Sequence, residues 1–422
     1  MNRDDDPRRR SLLGLGVGVG AGVLAALPVA ASADTRAAPA RRTMLSAADH
    51  GARGDGATDD SAALQAALDA AFAADGPGFL AIPPGTYKVT RTLRVTLRHD
   101  ITRNHGIIAH GARIQSSIGD GSDVLAFDCQ STERFLLIEG LDILGSGRDG
   151  AGLSLQCESK EHYLYNFCLR DLAIQGCGGD GARLLGDVFE GQIINSYFRD
   201  NRKNGVTFGH GNRAGILSAI HVFGCVFGQN GRYGVEMING CYDVAYHGCY
   251  FLLNAKHGLV ANNGCTLLSN CGFENNHEGA ADFASGGPGI WLQGFATLIG
   301  CTAYSMFKQT RLIEAYVVGH FTMIGCDGSG DGNARGAGLA LIGGERKGRA
   351  TIISPSGAIE YKKGFEAIEI GTKDGGARFG SDWQSPNLAQ LGDHRLWIDK
   401  TGRLRLKKGA PTSDEDGATV GS

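Results

Sequence analysis

Three stretches of the sequence repeat one pattern: 198-FRDNRKNGVTF-208, 227-FGQNGRYGVEM-237 and 251-FLLNAKHGLVA-261. In each stretch, Phe is followed three positions later by Asn and seven positions later by Gly. The leading apolar position recurs outward at Ile143, Ile174 and, with its Gly one residue early, at Phe273, at spacings of about 22 to 31 residues. A repeat of this length, with short alternating strands and no helix-length amphipathic segment, predicts a β-solenoid, specifically a parallel β-helix.

Two further columns emerge when the repeats are aligned. Asn stands three residues after the leading position at 201, 230, 254 and 276. Small residues stand two before it (Ser196, Cys225, Cys249 and Cys271), with Cys301 and Cys326 in two later segments. Equivalent positions on neighbouring coils lie ~4.8 Å apart, so the Asn column predicts a ladder of amide hydrogen bonds. The Cys column predicts a stack of buried reduced thiols rather than a disulfide framework.

The segment before the repeats predicts a cap for the solenoid. Residues 49–72 read DHGARGDGATDDSAALQAALDAAF, and residues 78–95 read GFLAIPPGTYKVTRTLRV. Thr58 is predicted to cap a helix with acidic residues in its first turn. Leu64, Leu68 and Phe72 form the apolar stripe of that helix. Such a helix would cover an open solenoid end, where unpaired strand edges invite aggregation.

The same segment resembles the start of the pectate-lyase-like right-handed parallel β-helix superfamily. The matching residues are Gly51, Ala52, Gly54, Asp55, Gly56, Thr58, Asp59, Asp60, Ala63, Leu64, Gln65, Ala67 and Leu68, then Leu80, Ile82, Pro83, Gly85 and Tyr87. With the repeats behind it, the resemblance covers about residues 45–350. It implies an all-β, single-stranded right-handed parallel β-helix with an N-terminal capping helix. Members of the superfamily include polysaccharide lyases, polygalacturonase-like hydrolases, sugar epimerases and phage tailspike domains; the motif itself transfers no catalytic residues.

Composition narrows the class of protein. Gly accounts for 66 of 422 residues, hydrophobic residues for 42% and charged residues for 20%, values typical of a folded chain. The 41 basic and 44 acidic residues nearly balance, which gives no reason to expect a nucleic-acid partner.

Residues 1–33 resemble a twin-arginine export signal. Arg9 and Arg10 precede a weakly hydrophobic, glycine-containing stretch that ends in Ala31-Ser32-Ala33. This pattern predicts a periplasmic or secreted protein that has no membrane contact once the signal is removed. The alternative is a membrane anchor, because about twenty apolar residues can span a bilayer.

The chain is expected to divide into the signal, a β-helix with its cap over residues 34–350, and a β-rich extension over residues 351–422. The segment 396-LWIDKTGRLRLKKGAPTSDEDGATVGS-422 resembles the C-terminal strands of trimeric tail-fibre-like β-helix proteins. It therefore predicts a homotrimer, since terminal strands often join a neighbour's sheet. The alternative is a strand folded back onto the same chain.

Candidate site residues stack on the turns and strands that flank the repeat glycines. We call the residues two positions before those glycines the turn row: Lys203, Arg232 and Lys256. We call those two positions after them the strand row: Arg183, Thr207, Glu236 and Val260, with Asp282 expected on the next coil. Tyr233, His257 and Asp180 lie between the two rows. Solenoids bind long ligands along such faces, although a solvated row of charged turns is an almost equally good interpretation.

The first chemistry that fits these rows is β-elimination on a uronate-containing polysaccharide. Lys256 or Arg232 would neutralise the substrate carboxylate. His257 or Tyr233 would act as base and acid. Arg183, Lys203 and Asp180 are predicted substrate contacts. A C5-epimerase needs the same groups, but the Asp-Pro-His signature of alginate epimerases is absent from the sequence.

Two alternatives remain. Glu236 and Asp282, two coils apart at ~9.6 Å, would suit an inverting hydrolase of the polygalacturonase-like type. However, the set of motifs typical of polygalacturonases is incomplete in this sequence, in which Gly209-His210-Gly211 is the lone match to their Gly-His-Gly motif. His210 and Trp291 are candidate sugar contacts with equally good structural explanations. The third hypothesis is a non-catalytic, tailspike-like carbohydrate-binding β-helix. No metal ligands are predicted, although Asp-Gly pairs at 149–150 and 180–181 leave Ca2+ open.

Overall fold

The computed structural model describes residues 44–98, 104–157, 161–209, 216–238, 241–261, 265–276, 290–293, 295–304, 311–317, 320–328, 338–344, 349–356, 359–361, 366–370, 377–380, 389–391, 394–409, 411–413 and 415–420. The predicted export signal and the candidates His210 and Asp282 lie outside these residues.

Short strands dominate the described chain, as the repeat predicted, and they stack in parallel from coil to coil. Sheet 1 contains Leu45–Ser46, Asp55–Asp59, Phe79–Ala81, Gly85–Val89, His105–Ser116, Leu136–Leu144, Cys168–Arg170, Ala173–Gln175, Gln192–Ile194, Tyr197–Arg199, Ile220–Phe223, Val226–Gly228, Val244–His247, Tyr250–Leu252, Cys265–Ser269, Gly272–Glu274, Phe295–Ile299, Thr302–Tyr304, His320–Ile324, Arg349–Ile353, Glu366–Ile370 and Ala377–Gly380. Between Cys168 and Tyr304, sheet 1 bends within each coil, so that one coil contributes two of its strands.

Sheet 2 forms another wall of the solenoid. Its strands are Leu93–Leu97, Leu125–Cys129, Leu153–Cys157, Ala182–Gly186, Val206–Gly209, Val235–Met237, Leu259–Ala261, Ile290–Gln293, Arg311–Val317, Gly338–Gly344 and Ile359–Tyr361. The small sheet 3 contains Glu133–Arg134, Leu164–Tyr165, Val188–Phe189 and Leu217–Ser218. The fold is the predicted right-handed parallel β-helix, with its core enclosed by these walls.

The leading positions of the repeat line up inside the core. Ile143, Ile174, Phe198, Phe227, Phe251 and Phe273 pair in sequence across consecutive strands. The Phe rings form a stack, with centroids 5.5 Å apart for Phe198–Phe227 and 4.6 Å for Phe251–Phe273. The alignment of the sequence repeats therefore matches the register of the coils.

The Asn column forms the predicted ladder. The side-chain amide of Asn230 donates to Asn254 Oδ1 at 2.9 Å, and that of Asn254 donates to Asn276 Oδ1 at 2.8 Å. Each amide also satisfies main-chain groups: Asn230 Oδ1 accepts from the Asn201 N–H at 3.2 Å, and Asn230 Nδ2 donates to the Phe198 carbonyl at 3.1 Å. These side chains are almost fully buried, so the ladder ties each turn to the next.

The cysteines behave as the second column predicted. All eleven are free thiols, and nine of them are buried. Burial raises the pKa of Cys225 to about 12. The thiols of the column, including Cys249 and Cys271, point their sulfurs at main-chain carbonyls within the core. They therefore pack as small apolar groups.

The N-terminal helix spans Ser61–Ala71 and follows a short 3-10 helix at Ala47–His50. The prediction that Thr58 caps it is wrong, because Asp55–Asp59 form a strand paired with Gly85–Val89 and Asp60 occupies the N-cap position. The Thr58 hydroxyl instead donates to Asp55 at 2.8 Å. Leu64 and Leu68 are buried, as the predicted stripe required. Within the described ranges, no helix is long and apolar enough to cross a membrane.

Parallel pairing continues through Arg349–Ile353 onto Glu366–Ile370 and then turns antiparallel at Ala377–Gly380. A separate antiparallel sheet follows, formed by Ala389–Leu391, His394–Ile398, Leu404–Lys408 and Ala418–Thr419. It supplies the short C-terminal β extension expected from the sequence. The domain boundary at residue 350 and the trimer stay predictions.

Candidate functional site

The turn row is held in place by the main chain of the stacked turns. The Arg232 N–H donates to the Lys203 carbonyl at 3.0 Å, and the Lys256 N–H donates to the Arg232 carbonyl at 2.8 Å. Each cation is therefore one coil from the next, as the alignment predicted. The Lys203 and Lys256 residues are exposed and Arg232 is half-buried, so the row presents positive charge to solvent.

Tyr233 lies close to two of these cations. Its ring packs against Arg232, whose Cζ is 4.9 Å from the ring centroid, and against Lys256, whose Nζ is 5.8 Å away. The His257 ring lies 5.7 Å from that of Tyr233, at an angle of 33°. Cations over an aromatic face are attracted by its quadrupole, which fixes the ring between them. Four of the predicted catalytic residues are thus brought together.

Glu236 faces the same cluster from the adjoining strand of sheet 2. One of its carboxylate oxygens lies 3.7 Å from Arg232 Nη2, and the other accepts a hydrogen bond from Asn204 Nδ2 at 2.7 Å. Its side chain is 17% exposed, so it is anchored while still open to a ligand. The fifth predicted catalytic residue in the described chain therefore belongs to the same surface.

A hydrogen-bond network links Glu236 back to Asp180 on an earlier coil. Asn204 Nδ2 also donates to Thr207 Oγ1 at 3.0 Å, and that hydroxyl lies 3.2 Å from Asp180 Oδ2. Asp180 Oδ1 accepts from the Asn204 N–H at 3.0 Å. Asp180, Asn204 and Thr207 are all buried. The Asp-Gly pair at 180–181 therefore has a structural use in supporting the next turn.

Arg183 occupies the strand row beside Thr207, but its guanidinium contacts Asp123 rather than the residues of the cluster around Tyr233. Its Nη2 donates to both carboxylate oxygens of Asp123 at 2.6 Å. Asp123 also accepts from the Ala151 N–H at 2.8 Å. The guanidinium is thus already neutralised by an intramolecular partner, and its predicted contact with substrate stays a prediction.

The register of sheet 2 changes one expectation. Val260 pairs with Trp291, so Trp291 takes the position of the strand row that the sequence alignment gave to Asp282. The segment after Phe273 holds more residues before its strand than the repeat predicted. The ~9.6 Å separation expected for Glu236 and Asp282 assumed that both belong to the strand row two coils apart, and the observed register does not support that assumption.

The sequence placed Thr207 in the strand row without a role, and Asn204 and Asp123 were not predicted as parts of the site. Asn204 and Thr207 stand in aligned positions flanking a repeat glycine, but polar residues there are also common in turns. Asp123 lies on a coil outside the aligned repeats. Among the described residues, no group of three or more His, Cys, Asp or Glu side chains is arranged to hold a metal ion.

A second concave surface lies on the outer face of sheet 1, where no sequence pattern had indicated a site. We call it the sheet-1 groove: about 530 Å³, lined by Ala219, His221, Asp243, Val244, Ala245, Cys265, Thr266, Leu267, Ala296, Thr297 and His320. Burial, followed by the charge of Asp243, raises the pKa of the Cys265 thiol. The thiol therefore stays protonated and is a poor nucleophile.

Comparisons with known families agree with this architecture. A model described as "Right handed beta helix region" matches residues 125–303. One described as "Rhamnogalacturonase A/epimerase, pectate lyase-like" matches residues 44–114, and one described as "Capsule depolymerase" matches residues 358–422.

Individual relatives and structures extend the comparison. Mannuronan C5-epimerase AlgE1 of Azotobacter vinelandii is 53% identical over 49 residues, which span 12% of this chain and 3% of that protein. Geobacillus virus E2 ORF18 has a similar structure (TM-score 0.57, 20% identity, 89% of this chain and 75% of that one). So does the Dettilon tailspike protein (TM-score 0.53, 13% identity, 76% and 70%). The chain shares the right-handed parallel β-helix fold of these proteins, and the two family-model matches support its similarity to the pectate-lyase-like superfamily.

Proposed function

We propose that the protein is a polysaccharide lyase that cleaves a uronate-containing polymer by β-elimination. The observation that carries the proposal is the cluster in which Arg232 and Lys256 flank Tyr233, with His257 and Glu236 alongside. An exposed pair of cations next to groups that transfer protons is what elimination beside a carboxylate requires.

The reaction divides among these residues as follows. Lys256 and Arg232 bind the uronate carboxylate, and their charge stabilises the carbanion character that develops at C5. A base, His257 or Tyr233, removes the C5 proton. The electron pair forms the C4=C5 double bond, the C4–O glycosidic bond breaks, and the other member of the pair protonates the leaving oxygen. Glu236 anchors Arg232, while Lys203 contacts the next sugar along the polymer.

The names of the similar proteins support a polysaccharide substrate. A mannuronan C5-epimerase changes the configuration at C5 of a uronate polymer, and removal of a proton at that carbon also begins an elimination. The family described as capsule depolymerase matches the C-terminal region. Because the epimerase match spans only 3% of that protein, the activity rests on the residues of this cluster.

The test uses the full mature chain with a panel of acidic polysaccharides, with and without Ca2+. The ultraviolet absorbance of the new C4=C5 double bond is followed beside a reducing-sugar assay. We expect both signals to rise, and to fall together in Arg232→Ala and Lys256→Ala. Arg202→Ala, which removes an exposed cation from the same coil as Lys203, is the control and should keep activity. Reducing ends without absorbance would overturn the lyase.

A hydrolase is the second candidate, favoured by one specific observation. Asp180 and Glu236 lie two coils apart, joined through Thr207 and Asn204. The hydrogen bonds that join their carboxylate oxygens measure 3.2, 3.0 and 2.7 Å, so these oxygens lie at most about 9 Å apart, which is compatible with the range of about 6.5–9.5 Å that inverting glycosidases use. If hydrolysis occurs, Glu236→Gln and Asp180→Asn should each abolish the release of reducing ends. Asp282, outside the described residues, is then the third carboxylate to test.

We further infer that the working form is exported and trimeric. Residues 1–33 carry the signal pattern, and polymers of this kind are found outside cells. The small C-terminal sheet leaves Leu404 and Val420 exposed at 37% and 42%, side chains that a neighbouring copy can cover. Sedimentation of the exported chain should give three times the monomer mass, and a monomer would overturn the trimer.

A further inference from the structure

The sheet-1 groove adjoins a row of nearly parallel rings that are partly exposed to solvent. His221, Phe223 and His247 point outward from neighbouring strands of sheet 1. The rings of Phe223 and His247 stack at 4.9 Å with an interplanar angle of 15°, and those of His221 and His247 at 6.2 Å and 15°. Phe223 is 37% exposed. At these distances the rings overlap rather than lie side by side, and we call this stack, whose outer edges are open to solvent, the aromatic platform.

Tyr250, on the next strand of sheet 1 along the chain, is a further exposed aromatic ring. A Cβ atom on Gly272 would lie 2.3 Å from Tyr250 Cε2, so the ring lies flat over that glycine. Its hydroxyl contacts Glu274 Oε2 at 3.2 Å, and the side chain remains 43% exposed. A partly exposed aromatic ring whose hydroxyl is anchored offers apolar surface to a ligand.

The groove supplies polar edges beside this apolar platform. Its floor is low at Ala245, whose methyl group stands in register between His221 and Leu267. Asp243, Thr297 and His320 lie along the groove and offer hydrogen-bonding groups. A concave, mostly apolar surface with a few polar groups is typical of small-ligand and sugar sites. Pyranose rings match it, since they have apolar faces and hydroxyl groups around their edges.

The charge of this surface selects among sugars. Lys and Arg are absent from the residues that line the groove, whereas Asp243 lies within it and Glu274 stands beside Tyr250. Burial, together with the nearby His221, lowers the pKa of His247, so that ring is uncharged near neutral pH. Carboxylates without cations repel a polyuronate, and uncharged rings accept neutral sugars.

We propose that the sheet-1 groove and its aromatic platform bind uncharged sugar residues, forming a second carbohydrate site on a different wall from the turn row. The occupant is a neutral glycan segment. The proposal extends the proposed function to a second site, but binding at this site needs no reaction at the first.

The experiment measures binding of the full chain to neutral soluble polymers (mannan, galactan and dextran) by affinity electrophoresis. We expect at least one polymer to retard the protein, and Phe223→Ala to weaken that binding about tenfold, the effect of one lost stacking contact. Ala245→Arg, which fills the groove, should weaken it at least as much. Phe135→Ala is the matched control, because it removes another exposed ring, 41% accessible, which directly precedes the sheet-1 strand three coils away.

Several results would overturn the proposal. One is that none of the three polymers binds; another is that the groove variants bind like the parent. Loss of binding in Arg232→Ala instead would place the neutral glycan on the turn row. A change of sedimentation from oligomer to monomer in Phe223→Ala would show that a second copy of the chain covers this face. Because these binding measurements do not depend on cleavage, they test the second site even if the lyase assay shows no activity.

Discussion

The inner Asn ladder and the outer turn row are built on the same coils, only a few residues apart in each. Inside, Asn201, Asn230, Asn254 and Asn276 repeat one residue type, and each amide hydrogen-bonds to the next. Outside, the position two residues before each repeat glycine changes from Gly179 to Lys203, Arg232 and Lys256. The inner row needs identical groups because every rung must satisfy its neighbour. The outer row is free to vary because solvent satisfies it.

This difference offers a general way to read a solenoid. A column that keeps its residue type is expected to hold the coils together, and a column that varies is where a ligand can be recognised. Changes to the inner row should therefore affect the free energy of unfolding, whereas changes to the outer row should affect catalysis or binding.

Tyr233→Phe should give the largest change. It removes only a hydroxyl, while the ring keeps its packing against Arg232 and Lys256. If the hydroxyl transfers a proton during elimination, kcat/KM should fall about 10²–10⁴-fold with the free energy of unfolding unchanged. The measurement is the initial rate of unsaturated product formation beside a urea titration. Tyr242→Phe, at an exposed tyrosine, is the control. A variant with full activity would remove Tyr233 from the acid–base pair.

Asn230→Ala should have the largest effect on stability. It deletes an amide that donates to Asn254 Oδ1 and to the Phe198 carbonyl, and it leaves buried groups without partners. Such losses cost about 3 kcal/mol in the free energy of unfolding. The matched control is Asn195→Ala, whose exposed amide makes one bond, to Asp171, and which should cost about 1 kcal/mol. Equal losses of the free energy of unfolding in the two variants would show that the buried Asn ladder stabilises the coils no more than an exposed hydrogen bond does.

The inner side also contains a titratable residue, His105, which is fully buried near Glu133 and Phe72. Burial lowers its pKa from 6.5 to about 4. Between these two pKa values, the unfolded chain binds a proton at His105 whereas the folded chain does not. The contribution of this residue to the free energy of unfolding is therefore fully present above pH 6.5 and decreases as the pH falls towards 4. The expected loss between pH 7.5 and 4.5 is about 2–3 kcal/mol.

Urea titrations across that range should reveal the loss. Asp55, whose pKa main-chain hydrogen bonds lower to about 2, contributes stability that disappears only below about pH 4, so it does not confuse the measurement. His105→Gln cannot take up a proton and should flatten the dependence even where it lowers stability overall. A dependence that persists in this variant would assign the effect to another group.

The sequence predicted the inner side far better than the outer side. The columns of Asn201 and Cys225 follow from identity between repeats, and burial then dictates their role. The outer surface depends on register, which a single insertion shifts: the extra residues after Phe273 place Trp291 where Asp282 was expected. The sheet-1 groove was invisible for another reason. Its floor is formed by Ala245, whose side chain is only a methyl group. A depression formed by one small side chain has no recognisable sequence motif.

Lys203→Ala should give the smallest effect and separates the members of the turn row. Lys203 is exposed and stacks one coil before Arg232, whereas Lys256 lies near the Tyr233 ring. An exposed cation outside the reacting centre attracts a polyanion without stabilising its transition state. KM should therefore rise about two- to threefold with kcat unchanged, and the difference should vanish at high salt. A fall in kcat as large as that of Lys256→Ala would instead move the reacting sugar towards Lys203, and the turn row would then act as one continuous carboxylate-binding surface.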